Sequence, residues 1–247
     1  MGGCLLHLGE LDASRHHFEA ALGAYDEEHP QRSALGSDLG VFAHAWGSHT
    51  LWLLGDEDAA VTHAERAIAL AQRLNHAYSQ TLAFAYAALL HQMRLDADHM
   101  VTDAEAAVML CERYGFAYYG DWAHVLIGWA RGRERPAEGI EIIESALDRL
   151  DRSRAQARRP YFLSLLAETY RRLGNKVGAA SIVDGAIAMA LERSDVWWLP
   201  ALYLQKSELQ APPEREATFR SGLGLARKQN NRGLEHRCLA SSIAGSM

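Results

Sequence analysis

A short motif recurs along this chain at intervals of about 40 residues, and this recurrence constrains the fold more than any other feature. In each copy a turn, often containing glycine, precedes a helical segment that carries a small residue. The small residues in register are Ala21, Ala67, Ala107, Ala146, Ala186 and Gly222, at successive spacings of 46, 40, 39, 40 and 36. A unit repeated in this way cannot bury its apolar face alone and stacks on its neighbours. The sequence therefore predicts an array of helical repeats.

Local patterns favour helices throughout the chain. Apolar residues recur at three- and four-residue spacing between short polar breaks, without sustained period-two alternation. With 247 residues, of which 49% are hydrophobic, the chain has enough apolar side chains for an extended core. We expect residues 1–247 to form one domain. Its first repeat is expected to be truncated, because Leu5, Leu6 and Leu8 look like the end of a helix without its start.

The fifth unit resembles a tetratricopeptide repeat. Small residues let paired helices approach closely, and glycine at the turn tolerates a positive φ. The family's unit has about 34 residues, so a period near 40 requires longer helices or connectors. We therefore expect an all-α, right-handed α-solenoid of about five to six antiparallel helix pairs. The residues that match the motif are Leu166, Ala167, Tyr170, Gly174, Ala179, Val183 and Ala186.

Longer segments resemble the carboxy-terminal repeat region of large bacterial signalling proteins. Those proteins join a class III adenylate/guanylate cyclase domain, or a winged-helix or LuxR-type output, to a STAND-type ATPase and this tail. No phosphate-binding loop of the form G-x-x-x-x-G-K-[ST] occurs here, so catalysis by the other domains is not carried over. The resemblance implies a non-enzymatic sensing or docking module without a cofactor. It is carried by residues 48–76, 159–174, 192–209 and 217–241.

The stretch DVWWLP, residues 195–200, marks the start of a helix in the sixth unit. Pro200 is tolerated only in the first turn of a helix, where its missing N–H needs no partner. Ser194 or Asp195 is the expected N-cap. One tryptophan is expected to fill the seam against the previous repeat, and Trp197 is expected to project into a concave groove.

The repeat register also predicts which side chains line that groove. Aromatic groups mixed with charges of both signs suit the recognition of a peptide or a polar ligand. We expect the groove to bind a peptide or protein segment. The alternative is a small-molecule sensor, with a closed pocket around Trp52, His124 and Tyr161. The candidate residues are Phe42, His49, Trp52, Gln92, Asp121, His124, Arg131, Tyr161, Glu168, Arg171 and Trp197.

Other chemistry has weaker support in the sequence. The chain has 12 histidines, but none shows the i,i+4 spacing of a helical zinc site. A metal-dependent hydrolase would need two or three of them to converge with a carboxylate. A run of arginines is interpreted as a solvated connector; the alternative is a site for phosphate or an acidic peptide. Its members are Arg149, Arg152, Arg154, Arg158 and Arg159.

The net charge, the apolar runs and the cysteines limit the partners and the cellular location that we expect. The net charge of −6 argues against nucleic acid, and no apolar run approaches the roughly 20 residues that span a membrane. Three widely separated cysteines indicate a reducing cytoplasm. An apolar edge around Leu5, Leu6, Leu8 and Phe18 predicts self-association or a partner at that end.

Overall fold

The computed structural model describes residues 1–32 and 36–244, and helices make up most of this part of the chain. An isolated β-bridge pairs Arg32 with Asp38. In chain order the helices are α1 (Gly2–His7), α2 (Leu11–Gly23), α3 (Leu39–Leu53), α4 (Glu57–Arg73), α5 (Ala77–Met93), α6 (Ala97–Tyr114), α7 (Ala117–Arg131), α8 (Pro136–Arg152), α9 (Arg159–Arg172), α10 (Lys176–Glu192), α11 (Leu199–Leu209), α12 (Pro212–Lys228) and α13 (Arg232–Ala244).

The helices form two layers that differ in how much of their surface is buried. Helix α4 buries a single stripe that includes Ala60, Ala64 and Ala67, the pattern of a helix with one solvated face. Helix α5 instead buries nearly all of the run from Leu82 to Leu90. Odd-numbered helices from α3 onward contact one another in succession, and each even-numbered helix packs between two of them. The fold is an all-α helical-repeat solenoid of six helix pairs followed by α13, as the repeat predicts.

Small residues set the distance between paired helices. Ala67, Ala107, Ala146 and Ala186 are fully buried, as the register predicts. Ala21 differs and is exposed. Its partner α1 has only six residues and extends about 9 Å, so it does not cover the later turns of α2.

The inner layer closes on itself, because α13 returns to contact α3. The first and last repeats also meet where the N–H of Val196 donates to the carbonyl oxygen of His7, 2.8 Å away. The expectation of an exposed apolar edge at the first repeat is wrong for two of its four residues. Leu6 and Phe18 are buried, while Leu8 is exposed. Self-association stays a prediction, although Leu6 and Phe18 do not form the exposed apolar edge from which it was inferred.

The connector before α11 differs from its expected geometry. Pro200 does lie in the first turn, but the N-cap is Trp198, and neither Ser194 nor Asp195 caps the helix. Both tryptophans are buried, with Trp197 1% and Trp198 2% exposed, so the expectation that Trp197 projects into an open groove is wrong. Ring closure is the reason, since the first repeat covers this connector. Within residues 1–32 and 36–244, no helix is both long and apolar enough to cross a membrane.

Candidate functional site

Aromatic rings from successive repeats meet in the centre of the closed layer. Trp46 of α3 lies 5.2 Å from Tyr86 of α5, measured between ring centroids, and Tyr86 lies 5.6 Å from Trp122 of α7. Trp197, just before α11, packs 5.5 Å from Tyr161 of α9. We call Trp46, Tyr86, Trp122 and Trp197 the aromatic cage.

The guanidinium of Arg158 occupies this cage. Its central carbon lies 4.9 Å from the ring centroids of Trp46 and Trp197, 5.2 Å from Tyr86 and 5.7 Å from Trp122. Arg158 is 0% exposed, and its three side-chain nitrogens have no hydrogen-bond partner among the described residues. The Tyr86 hydroxyl approaches the cation without hydrogen-bond geometry. Burial raises the pKa of this hydroxyl, and Arg158 partly offsets the increase. Cation–π attraction is therefore the main contact of the guanidinium.

The interpretation of the arginine run as a solvated connector is wrong for Arg158. The residue precedes α9 with a φ of 61°, in the left-handed region, and this turn directs its side chain inward. The 40-residue period offered a signal. Pro160 and Pro200 are 40 residues apart and occupy the same position in their repeats. The same alignment matches Arg158 to Trp198, which is buried. A residue at that position faces the interior in both repeats.

His49 lies beside the cage, stacked on Tyr86 at 4.9 Å between ring centroids. Its Nε2 donates to the carbonyl oxygen of Tyr86 at 2.8 Å, because a carbonyl only accepts. Burial lowers the pKa of His49 well below its ordinary value, and the nearby Arg158 cation lowers it further. The ring is therefore neutral, and its Nδ1 is a buried acceptor without a partner.

A polar cavity of about 260 Å³ opens next to the cage, between the end of α5 and helices α9, α11 and α13. Arg237 of α13 is its central cation. The guanidinium lies 5.5 Å from the ring of Trp52 and 5.4 Å from that of Trp198, and it donates to the carbonyl oxygen of Met93. The polar and aromatic groups that line the cavity include Gln92, Ser164, Glu168, Arg171, Trp198, Gln205, Glu208 and Arg237.

Charges of both signs in the polar cavity lack ion-pair partners. Among the described residues, Arg171, Arg237 and Glu208 form no ion pair, whereas Glu168 is bound by Arg172. Glu208 stands exposed at the rim, yet the dense protein around it raises the pKa of its carboxyl through desolvation, and Arg171 lowers it. The amide oxygen of Gln205 is buried without a hydrogen-bond donor. The cavity therefore offers two cations and one carboxylate that form no ion pair with described residues, and one free acceptor.

Part of the predicted groove set converges on these two sites. Gln92, Glu168 and Arg171 line the polar cavity, and the ring of Trp52 lies 5.5 Å from the guanidinium of Arg237. The Tyr161 hydroxyl donates to Gln92 Oε1 at 2.6 Å. His49 and Trp197 belong to the interior around Arg158.

The other four predicted residues lie elsewhere. Phe42 lines a separate apolar pocket with Phe18 and Tyr25. Asp121 is held by Arg149 of α8, and His124 lies with that arginine in a shallow outer depression. Arg131 is exposed and pairs with Glu138. The register therefore misplaced Asp121, His124 and Arg131, because these positions of α7 face its outer partner α8. The expected pocket around Trp52, His124 and Tyr161 does not include His124.

The repeat register missed Gln205, Glu208 and Arg237. The first two lie on the short helix α11, and Arg237 lies on α13, beyond the last clear repeat. Within the described residues, no group of three or more histidine, cysteine or acidic side chains is arranged to hold a metal ion. The chain matches no protein-family model, and no curated protein matches its sequence.

Proposed function

We propose that this protein is a non-enzymatic helical-repeat module that binds a small zwitterion, such as a free amino acid, in the polar cavity. One observation carries the proposal. Arg171, Arg237 and Glu208 bring unpaired charges of both signs to a single cavity, beside the unpartnered oxygen of Gln205. Arginine suits a carboxylate, and the opposite carboxylate suits an ammonium group.

The geometry favours a small ligand over an extended peptide. A peptide groove requires an open concave wall, and here the inner layer closes and its aromatic side chains pack against one another. A cavity of about 260 Å³ approaches the lower end of the volumes typical of small-molecule sites. Of the two binding functions that the sequence left open, the small-molecule sensor therefore has the better support.

A regulatory role is the second half of the proposal. The resemblance to the repeat tails of cyclase–ATPase and LuxR-type proteins supports it. The position of the cavity supports it as well, because a ligand there contacts α5 and α9 together with α11 of the last repeat and with α13. Such a ligand favours the closed arrangement by the difference in its affinity for the closed and opened forms.

Thermal unfolding of the full chain with free amino acids tests the proposal. The panel includes each amino acid, its carboxamide and its N-acetyl derivative, so that either charge is removed in turn. A ligand at 100 times its Kd adds about 2.7 kcal/mol of stability and raises the Tm. We expect a shift with one group of amino acids and little shift with either derivative. Arg237→Met and Glu208→Gln should each remove it.

Arg131→Met is the matched control, because it removes an exposed arginine that lies outside the cavity. This variant should keep the full ligand-induced shift. Glu208→Gln is the variant to read if Arg237→Met fails to fold, since Glu208 is exposed at the rim. Shifts that survive Glu208→Gln, or a shift with short peptides and none with amino acids, would overturn the zwitterion proposal.

A further inference from the structure

Buried polar atoms without hydrogen-bond partners are concentrated around the aromatic cage. Six such atoms belong to four neighbouring side chains: the three nitrogens of Arg158, Nε1 of Trp46, Nε1 of Trp122 and Nδ1 of His49. Buried polar groups in folded proteins are nearly always paired, and a cluster of exceptions calls for an explanation. The Nδ1 of the neutral His49 ring is an acceptor, so the clustering indicates a missing partner for the five donor nitrogens of Arg158, Trp46 and Trp122.

The chemistry of these atoms defines that partner. Guanidinium and indole nitrogens only donate hydrogen bonds, so five of the six atoms need an acceptor. Aromatic rings at 4.9–5.7 Å surround the guanidinium, but a ring does not replace an oxygen acceptor for its in-plane N–H groups. Moreover, Arg158 forms no ion pair with any described residue, although a buried charge normally has a counter-charge.

We propose that the aromatic cage is a second binding site, which takes a small planar carboxylate on the in-plane edge of the Arg158 guanidinium. Two carboxylate oxygens match two parallel N–H groups of a guanidinium in a bidentate pair. The indole N–H groups of Trp46 and Trp122 are the further donors beside this site, and that of Trp122 also lies close to the Tyr118 hydroxyl. The site rests on different residues from the polar cavity and does not depend on the function proposed for that cavity.

The seam between the first and last repeats lies next to the cage. His7 packs against two of the cage tryptophans, 5.7 Å from Trp46 and 6.3 Å from Trp197 between ring centroids. Its side chain is 20% exposed, so His7 both contacts the cage and reaches solvent. We assign the seam as the entry route of the anion.

Titration of the ¹⁵N-labelled full chain with sodium formate and sodium acetate tests the site, with sodium chloride holding the ionic strength constant. The readout is the set of indole N–H resonances. We expect those of Trp46 and Trp122 to shift saturably. Trp129 and Trp198 report on the polar cavity instead, because their indole nitrogens donate to Glu168 at 2.9 Å and to Ser164 at 3.0 Å, and both acceptors line that cavity.

Variants separate this site from general salt effects and from the polar cavity. Arg158→Met should abolish the saturable shifts, and Arg158→Lys should raise the apparent Kd about tenfold, because lysine cannot form the bidentate pair. Glu208→Gln changes only the polar cavity, so it should leave the shifts of Trp46 and Trp122 unchanged. Absence of saturable shifts in the wild-type chain, as expected if only ordered water fills the site, would overturn the proposal even if Arg158→Met does not fold. Equal shifts in all four indoles would overturn it as well.

Discussion

The imidazole Nδ1 of His7 lies 2.6 Å from Oδ1 of Asp195, and this contact joins residues 188 positions apart. It connects α1 to the connector before α11. Beside it, the N–H of Val196 donates to the carbonyl oxygen of His7. The pair is mostly buried, with 20% and 11% of the two side chains exposed. The closure of the inner layer therefore depends on specific polar contacts as well as on packing.

Replacement of Asp195 tests the strength of this closure. Asp195→Ala leaves His7 without its partner, and hydrogen bonds to charged groups typically contribute about 1.5–3 kcal/mol. We expect the free energy of unfolding to fall by that amount, measured by urea denaturation. Asp26→Ala is the control, because Asp26 binds His29 at 2.9 Å in an exposed loop. That exposed pair should contribute much less to stability, because solvent screens it. Equal losses in both variants would contradict a special role for the seam.

The buried bond between Tyr161 and Gln92 makes a second prediction. Tyr161→Phe removes a donor and leaves Gln92 Oε1 unsatisfied in the interior, which costs about 1–3 kcal/mol of stability. Gln92→Leu should recover part of this loss in the Tyr161→Phe background, and a double-mutant cycle measures the recovery. Tyr170→Phe provides the comparison, because its hydroxyl binds Glu144 at an exposed site. That change should cost much less.

Stability should decrease as the pH falls from 7 to 5. His49 has a folded-state pKa well below its ordinary value of about 6.5, so the unfolded chain takes up a proton that the folded chain does not. Each such histidine lowers the free energy of unfolding by up to about 1.4 kcal/mol per pH unit below pH 6.5. His44 and His91, whose pKa values burial lowers to about 4, act in the same direction. Asp103 opposes them, since burial raises its pKa to about 6.

Urea denaturation of wild type and His49→Gln at pH 7, 6 and 5 isolates the contribution of His49. The difference between the two curves cancels the effect of Asp103, and we expect the variant to show the flatter pH dependence. Thr169→Val is the control for general destabilisation, because it removes a buried hydroxyl that does not titrate. Its curve should run parallel to that of the wild type. A parallel curve for His49→Gln would show that His49 does not cause the slope.

The contact between α7 and α8 should not tolerate a methyl group at Gly139. A Cβ there would lie 2.6 Å from the carbonyl oxygen of Gly128 and from the Cα of Gly132, so backbone must move. We expect Gly139→Ala to cost about 1–3 kcal/mol or more, as overpacking typically does. Gly185→Ala in α10 meets nothing within 4 Å and should instead stabilise by about 0.5–1 kcal/mol. Thermal unfolding of the two single variants measures both signs.

The sequence predicted the elements of this fold better than their arrangement. Alanines such as Ala107 and Ala146 reveal the repeat, because close helix packing admits only small residues there. Pro200 marks the first turn of α11 for a similarly local reason. Closure of the layer follows from small rotations accumulated over several repeats. No single residue indicates this accumulated rotation, so the sequence predicted an open groove.

The candidate sites were harder to predict for the same reason. Arg158 lies in the connector between α8 and α9, within a run of five arginines, and its burial depends on rings from four separate repeats. Gln92 and Arg171 were predicted, since they occupy the inner helices in register. Arg237, which lies across the cavity from them, reaches it only because α13 returns to the first repeats.

Closure also changes how the molecule is expected to unfold. In a linear array the outermost repeats have one neighbour each, so they fray first and protect their amides least. Here α1 and α13 each contact the opposite end of the chain, and every repeat has neighbours on both sides. The repeats therefore form a ring, in which no repeat is terminal. Native-state hydrogen exchange should therefore show similar protection in the first, middle and last repeats, lost together when the seam opens.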